Sequence, residues 1–196
     1  WLTFAKDLSM IMQGKQPRDN YLNTSEIPIE KKYKTIIIDS MTAMLSLAME
    51  RALCINPSRN EAGGAKYEVH YSLIRTLIEA QMKKVLSCVG YKVVIAHLEQ
   101  DKDREGTIIG YHPLLPGTLK TILTSFFGEI LYAQRRYLDN KQTYCLQTIN
   151  SGMYNARSNL SGRQKLLPDF VPNDFNSIMK IISERMEEGS KKKLVI

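Results

Sequence analysis

The stretch Thr35-Ile36-Ile37-Ile38-Asp39-Ser40 sets a carboxylate and a hydroxyl directly after a run of β-branched residues. Three consecutive isoleucines without alternation predict a strand buried on both faces, and open α/β sheets bind ligands beyond the carboxyl ends of such strands. An acid at that tip, followed by a hydroxyl, suits a magnesium-linked water beside nucleotide phosphates. Asp39 and Ser40 are therefore the candidate metal and cofactor contacts; a plain strand-end cap is the alternative for the acid. A second β-rich run, Tyr91-Lys92-Val93-Val94-Ile95-Ala96-His97, ends in an imidazole at the equivalent height. His97 could donate to a terminal phosphate or orient an attacking water, and a structural histidine is the other reading.

Those two tips need a scaffold. Between the strands, Met41–Leu53 carries a helical stripe (Leu45, Ala48, Met49, Ala52, Leu53), and Tyr67–Val89 a longer one through Ile74, Leu77, Ile78, Met82, Val85, Leu86 and Val89. A Pro/Asn/Gly-rich loop, 55–65, separates them, and Gly90 stops the second helix. Strand, helical crossover and strand make a β-α-β unit with parallel strands and a right-handed connection. Upstream, Trp1–Met12 has helical spacing and Gly14–Lys32 reads as a loop. Downstream, Leu98–Gly117 has no clear periodicity and reads as a structureless stretch, functional or mobile. A short helix from Thr118 through Phe127 follows. Strands Glu129–Arg135 and Thr143–Ile149, turning at Asp139-Asn140, then extend the parallel sheet as a hairpin. A last helix, Asn173–Glu188, precedes the basic tail Lys191–Lys193.

Composition narrows the class. Of 196 residues, 43% are hydrophobic and 24% charged, which excludes wholesale disorder. No apolar run approaches the roughly 18 residues of a membrane span. Lys plus Arg number 27 against 20 acids, a net charge of +7 that favours a polyanionic partner. Cys54, Cys88 and Cys145 form no CxxC and fit a reducing cytoplasm. His70, His97 and His112 show no metal-ligand spacing with them, and the G-x-S-x-G turn of a serine hydrolase is absent.

The order of these elements, with Tyr33-Lys34-Thr35, Asp39-Ser40, Ala96-His97 and Pro113-Leu114-Leu115-Pro116-Gly117, resembles phage and prophage RecA-like, AAA-type nucleotide-binding proteins of single-strand annealing and recombination. The likeness covers roughly Trp1–Ile181. It implies an α/β RecA-like core, mainly a parallel sheet flanked by helices with a C-terminal β-hairpin. It also implies ATP and Mg²⁺ as cofactors and single-stranded DNA as partner, in a cytoplasmic homo-oligomer, ring or filament. Asp39 would be the Walker B acid, Ser40 its metal-side neighbour and His97 the phosphate sensor. The loop 55–65, with Arg59 and Lys66, would be the first DNA-binding loop. The stretch after His97, with Lys102, Arg104 and Tyr111, would be the second, supplying phosphate contacts and a stacking surface. Glu99, Asp101, Asp103 and Glu105 work against that second assignment, and a solvated charged loop is the alternative. Arg157, in Met153-Tyr154-Asn155-Ala156-Arg157, matches the arginine with which RadA- and KaiC-type relatives reach a neighbouring subunit's nucleotide, although Asn155 replaces their lysine. An unspecialised surface arginine is the other reading.

No G-x-x-x-x-G-K-[ST] occurs; Gly63-Gly64-Ala65-Lys66 lacks the following hydroxyl. The family order places that phosphate loop before Trp1. Residues 1–188 are thus expected to be the later part of an ATPase core, 189–196 a basic tail, and the fragment alone inactive. Two functions remain: an ATP-dependent single-stranded-DNA-binding ATPase of phage recombination, or a non-hydrolysing nucleic-acid-binding or annealing module that oligomerises through the same scaffold.

Overall fold

Thr35–Asp39 and Tyr91–Ile95 lie side by side, as two β-branched runs joined by a helical crossover should. The computed structural model describes residues 2–12, 34–88, 90–138, 140–161 and 166–193. The expected loop Gly14–Lys32, together with Tyr33 and Asp139, lies outside them. The chain divides into two units, Trp1–His97 with Pro113–Leu119, and Leu98–His112 with Lys120–Ile196.

The first unit holds α1 (Leu2–Met12), β1 (Thr35–Asp39), α2 (Met41–Ile55), a π-helical turn (Tyr67–Tyr71) running into α3 (Ser72–Ser87), and β2 (Tyr91–Ile95). Ser40 starts α2: its hydroxyl accepts the Ala43 N–H at 3.3 Å, satisfying a first-turn donor. Met41, Met44, Ala48 and Ala52 then recur on the buried side of α2, which packs against α3. On α3, Ile74, Ile78, Met82 and Val85 are essentially without exposure, and each such large side chain contributes about 1.5–3 kcal/mol by leaving water.

One imidazole organises the connection between α2 and α3. His70 is fully buried, and its Nε2 lies 2.8 Å from the Asn56 carbonyl oxygen, so this nitrogen carries the proton and donates. Nδ1 then accepts the Lys66 N–H at 2.8 Å. Between these anchors Asn60 closes a turn, its Oδ1 accepting from Gly64 N at 2.7 Å and its Nδ2 donating to Ala65 O at 3.2 Å.

β1 and β2 pair in parallel, Thr35 opposite Tyr91 through Asp39 opposite Ile95. Burial on both faces is not what the strands have. Ile38 is buried, whereas Ile37, Val93 and Ile95 are 62%, 43% and 41% exposed. Side chains alternate between faces, and a single crossover lies on only one of them.

The second unit corrects the expectation of a mainly parallel sheet. Leu98–Gly117 is not structureless: β3 (Leu98–Lys102) and β4 (Ile108–Pro113) form a two-stranded sheet. Asp103 makes the turn, its Oδ1 accepting from both Glu105 N and Thr107 N at 2.9 Å, while Gly106 adopts φ 86°. After α4 (Leu119–Ser125) come β5 (Glu129–Ile130), β6 (Tyr132–Leu138), β7 (Lys141–Gln147), β8 (Arg157–Ser158), β9 (Phe170–Pro172) and α5 (Phe175–Lys193). β6 and β7 pair antiparallel, but with β9 they form a separate sheet of order β6-β7-β9 instead of extending β1–β2; β5 pairs antiparallel with β8. Parallel strands need a crossover of a dozen residues or more, and the connection between β6 and β7 is far too short for one. Among the described strands, only β1 and β2 form a parallel sheet.

The last helix begins after Asp174, whose Oδ2 accepts the Ser177 N–H at 2.7 Å; the Ser177 hydroxyl first, and then this backbone bond, hold the Asp174 carboxyl below its ordinary range. α5 runs on through Lys193, so the lysines expected in a tail belong to its last turn.

Candidate functional site

The carboxyl edge of the parallel pair gathers the polar groups of the first unit. Asp39 is the last residue of β1, opposite Ile95, and lies exposed on the same face as Ile37, Val93 and Ile95. His97 follows two residues beyond that register, and the alternation of exposure continues through Ala96 to the exposed His97. The His97 N–H donates to the Thr42 hydroxyl at 3.4 Å, and its carbonyl accepts the Leu114 N–H at 2.7 Å. Thr42 lies in the first turn of α2, just after Asp39-Ser40, so the link ties the end of β2 to the segment that follows β1. Adjacent strands thus bring an acid and an imidazole to one rim. Sequence reasoning missed Thr42, because a helix-start threonine carries no local mark of a partner 55 residues away.

Ser40 is committed: its hydroxyl caps α2 and is buried. The peptide bond between Asp39 and Ser40 is cis. Among the described residues no group of three or more His, Cys, Asp or Glu could hold a metal ion. Asp39 alone still fits Mg²⁺, which dehydrates reluctantly and is commonly held through one or two carboxylates, with water and substrate phosphates completing the shell.

Arg59 and Lys66 are exposed in the connection that His70 anchors, and Arg59 Nη1 donates to Ser58 O at 3.2 Å. In the second unit, Lys102 and Arg104 are exposed on the β3–β4 hairpin. Three of the acids around them, Glu99, Asp101 and Asp103, have local contacts. Asp103 makes the turn, and Glu99 Oε2 and Asp101 Oδ2 each lie 3.5 Å from a ring nitrogen of His112. Lys120 Nζ donates to His112 Nε2 at 2.6 Å, completing a charged cluster that had no sequence signal.

Tyr111 stacks on Tyr154 with centroids 4.9 Å apart, and Tyr154 stacks on Tyr132 at 3.8 Å. One face of Tyr111 is therefore occupied within the protein. Arg157 Nη2 donates to Thr124 O at 3.0 Å and Phe127 O at 2.8 Å, closing the carboxyl end of α4.

Burial, then the hydrogen bond with Tyr154, then the charges Tyr154 and Tyr111 would carry, push the Tyr132 hydroxyl well above its ordinary range. A raised folded-state pKa stabilises the protein fully below the unfolded value of about 10, and that stability is lost as pH rises towards and through the folded value. Thermal melts across the alkaline range should show a steeper loss of Tm in the wild type than in Tyr132→Phe. Equal slopes would remove Tyr132 from the alkaline response.

A parallel β-α-β unit with an acid and an imidazole at its carboxyl edge defines an α/β protein of the kind that binds ligands beyond its strand ends. The family model described as AAA domain matches residues 10–160, well over half of the chain, and the protein belongs to that P-loop nucleotide-binding family. No curated protein and no solved structure matches the chain. The three cysteines are free, and among the described residues no helix is long and apolar enough to cross a membrane.

Proposed function

We propose that this is a RecA-like, ATP-dependent single-stranded-DNA-binding protein of phage recombination or annealing that works as a homo-oligomeric ring or filament. The observation that carries this reading is the in-register pair β1–β2, with Asp39 and His97 at one edge, in a chain of the AAA domain family. Asp39 would hold Mg²⁺ through bound water, and the ion would neutralise charge on the phosphates of ATP. The His97 ring would donate to the terminal phosphate, its backbone steadied by Thr42. Arg59, Lys66, Lys102 and Arg104 would neutralise DNA phosphates, a role helped by Glu99 and Asp101 turning toward His112.

A second reading, a non-hydrolysing annealing module, draws support from Arg157. Its guanidinium already serves two backbone carbonyls, and Asn155 stands where a lysine would assist it. ATP hydrolysis by the native protein, measured with and without oligothymidylate, separates the two. DNA-stimulated hydrolysis and ATP-dependent tightening on DNA are expected from the first. Salt-sensitive DNA binding without hydrolysis selects the second, and absence of both activities overturns each.

A further inference from the structure

The outward face of β6 and β7 carries residues that the site above does not use. Tyr137 and Tyr144 are 77% and 61% exposed, the first more than any other large hydrophobic residue among the described residues of the second unit. Arg135 pairs directly with Tyr144, and Tyr137 pairs with Gln142, so all of these project from one face of the antiparallel ladder. Tyr137 and Tyr144 are diagonal neighbours across the two strands, a spacing of about 7–8 Å that leaves both rings open to a flat ligand.

The opposite face is differently used. There Arg136 lies 3.9 Å over the Phe170 ring, Gln134 donates to Gln147 at 2.9 Å, and Cys145 and Gln147 are buried. Packing explains Arg136 and leaves Arg135 unexplained. Among the described residues Arg135 forms no ion pair, and the two strands contain Arg135, Arg136 and Lys141 but no acid. Two open phenol rings flanking a guanidinium on an acid-free sheet surface match a polyanion that presents flat rings. That description fits single-stranded nucleic acid, whose bases stack on aromatic side chains while its phosphates meet cations.

We propose that Arg135, Tyr137 and Tyr144 form a stacking platform for single-stranded DNA, a surface that rests on the nucleic-acid reading above but uses none of its residues. The rings take successive bases, and Arg135 meets the phosphate between them. Every base has a π-face, so the platform is indifferent to sequence.

Fluorescence anisotropy of a labelled oligothymidylate about 30 nucleotides long, titrated with the native protein, tests this. The Tyr137→Ala/Tyr144→Ala pair is expected to lose affinity roughly tenfold or more, and the Tyr137→Phe/Tyr144→Phe pair to stay near wild type. Arg135→Gln should flatten the slope of log affinity against log salt by about 0.7, whereas the tyrosine variants leave that slope unchanged. ATP hydrolysis without DNA should be the same in all of them. Unchanged affinity in the alanine pair overturns the platform while leaving the wider reading intact. Loss of self-association in sedimentation, with DNA affinity retained, also overturns it and makes this face a contact between copies. A wild type that binds no oligothymidylate ends both proposals at once.

Discussion

Asp39→Ala is expected to lower ATP hydrolysis by the native protein about 100-fold or more while leaving its melting temperature nearly unchanged. The rate expectation follows from where the carboxylate stands. It closes β1 at the ligand edge, and the hydroxyl of Ser40 beside it is spent on α2 and does not replace it as a metal contact. Metal-centred charge stabilisation is worth several kcal/mol, and each ~1.4 kcal/mol is a factor of ten. The stability expectation follows from exposure: Asp39 projects into solvent, and such sites change folding by about 0.5 kcal/mol or less. Steady-state hydrolysis beside a thermal melt reads both. Retained turnover in a folded Asp39→Ala protein would remove the acid from the chemistry, and a large drop in Tm would make it a structural cap.

Gly90→Ala should unfold the protein at a temperature about 5–15 °C lower than wild type, the largest stability effect expected from a single added methyl. Gly90 has φ 99°, and a Cβ added there would collide with Lys34 O and stand 2.9 Å from Lys34 C, both backbone atoms. That carbonyl accepts the Tyr91 N–H at 2.8 Å, beside the first rung of the β1–β2 ladder. The methyl must therefore push apart the strands it joins. A left-handed backbone costs a non-glycine residue about 1–2 kcal/mol, and overpacking about 1–3 kcal/mol more. Gly106→Ala is the matched control, since Gly106 has φ 86° but nothing within 4 Å of the place its added methyl would take. Equal losses from the two substitutions would mean that the close approach to Lys34 carries no weight.

The β-α-β unit was legible because its signals are local. Ile36–Ile38 and Val93–Ile95 are β-branched runs, and α3 repeats its apolar residues at helical spacing. Asp39 and His97 could be assigned to one edge as soon as the strands were taken as parallel. The β3–β4 hairpin was not legible, since Leu-Glu-Gln-Asp-Lys is exposed throughout and has no alternation to read. Its one cue was Asp103-x-x-Gly106, an Asx turn ending in a positive-φ glycine. Antiparallel pairing of β6 with β7 was visible in their sequences, but membership of a separate sheet with β9 depends on residues 170–172, far along the chain. The stack of Tyr111, Tyr154 and Tyr132 likewise joins distant positions and left no periodic trace.

The histidine at position 70 gives the Asn56–Lys66 segment a character that Pro57 and its two glycines disguise. A single ring grips both ends, so the segment is a held prong, much of its freedom surrendered when the domain folds. If Arg59 has the role proposed for it, the nucleic acid would meet a shape that needs little freezing on contact, and its association should be quick to lock and slow to release.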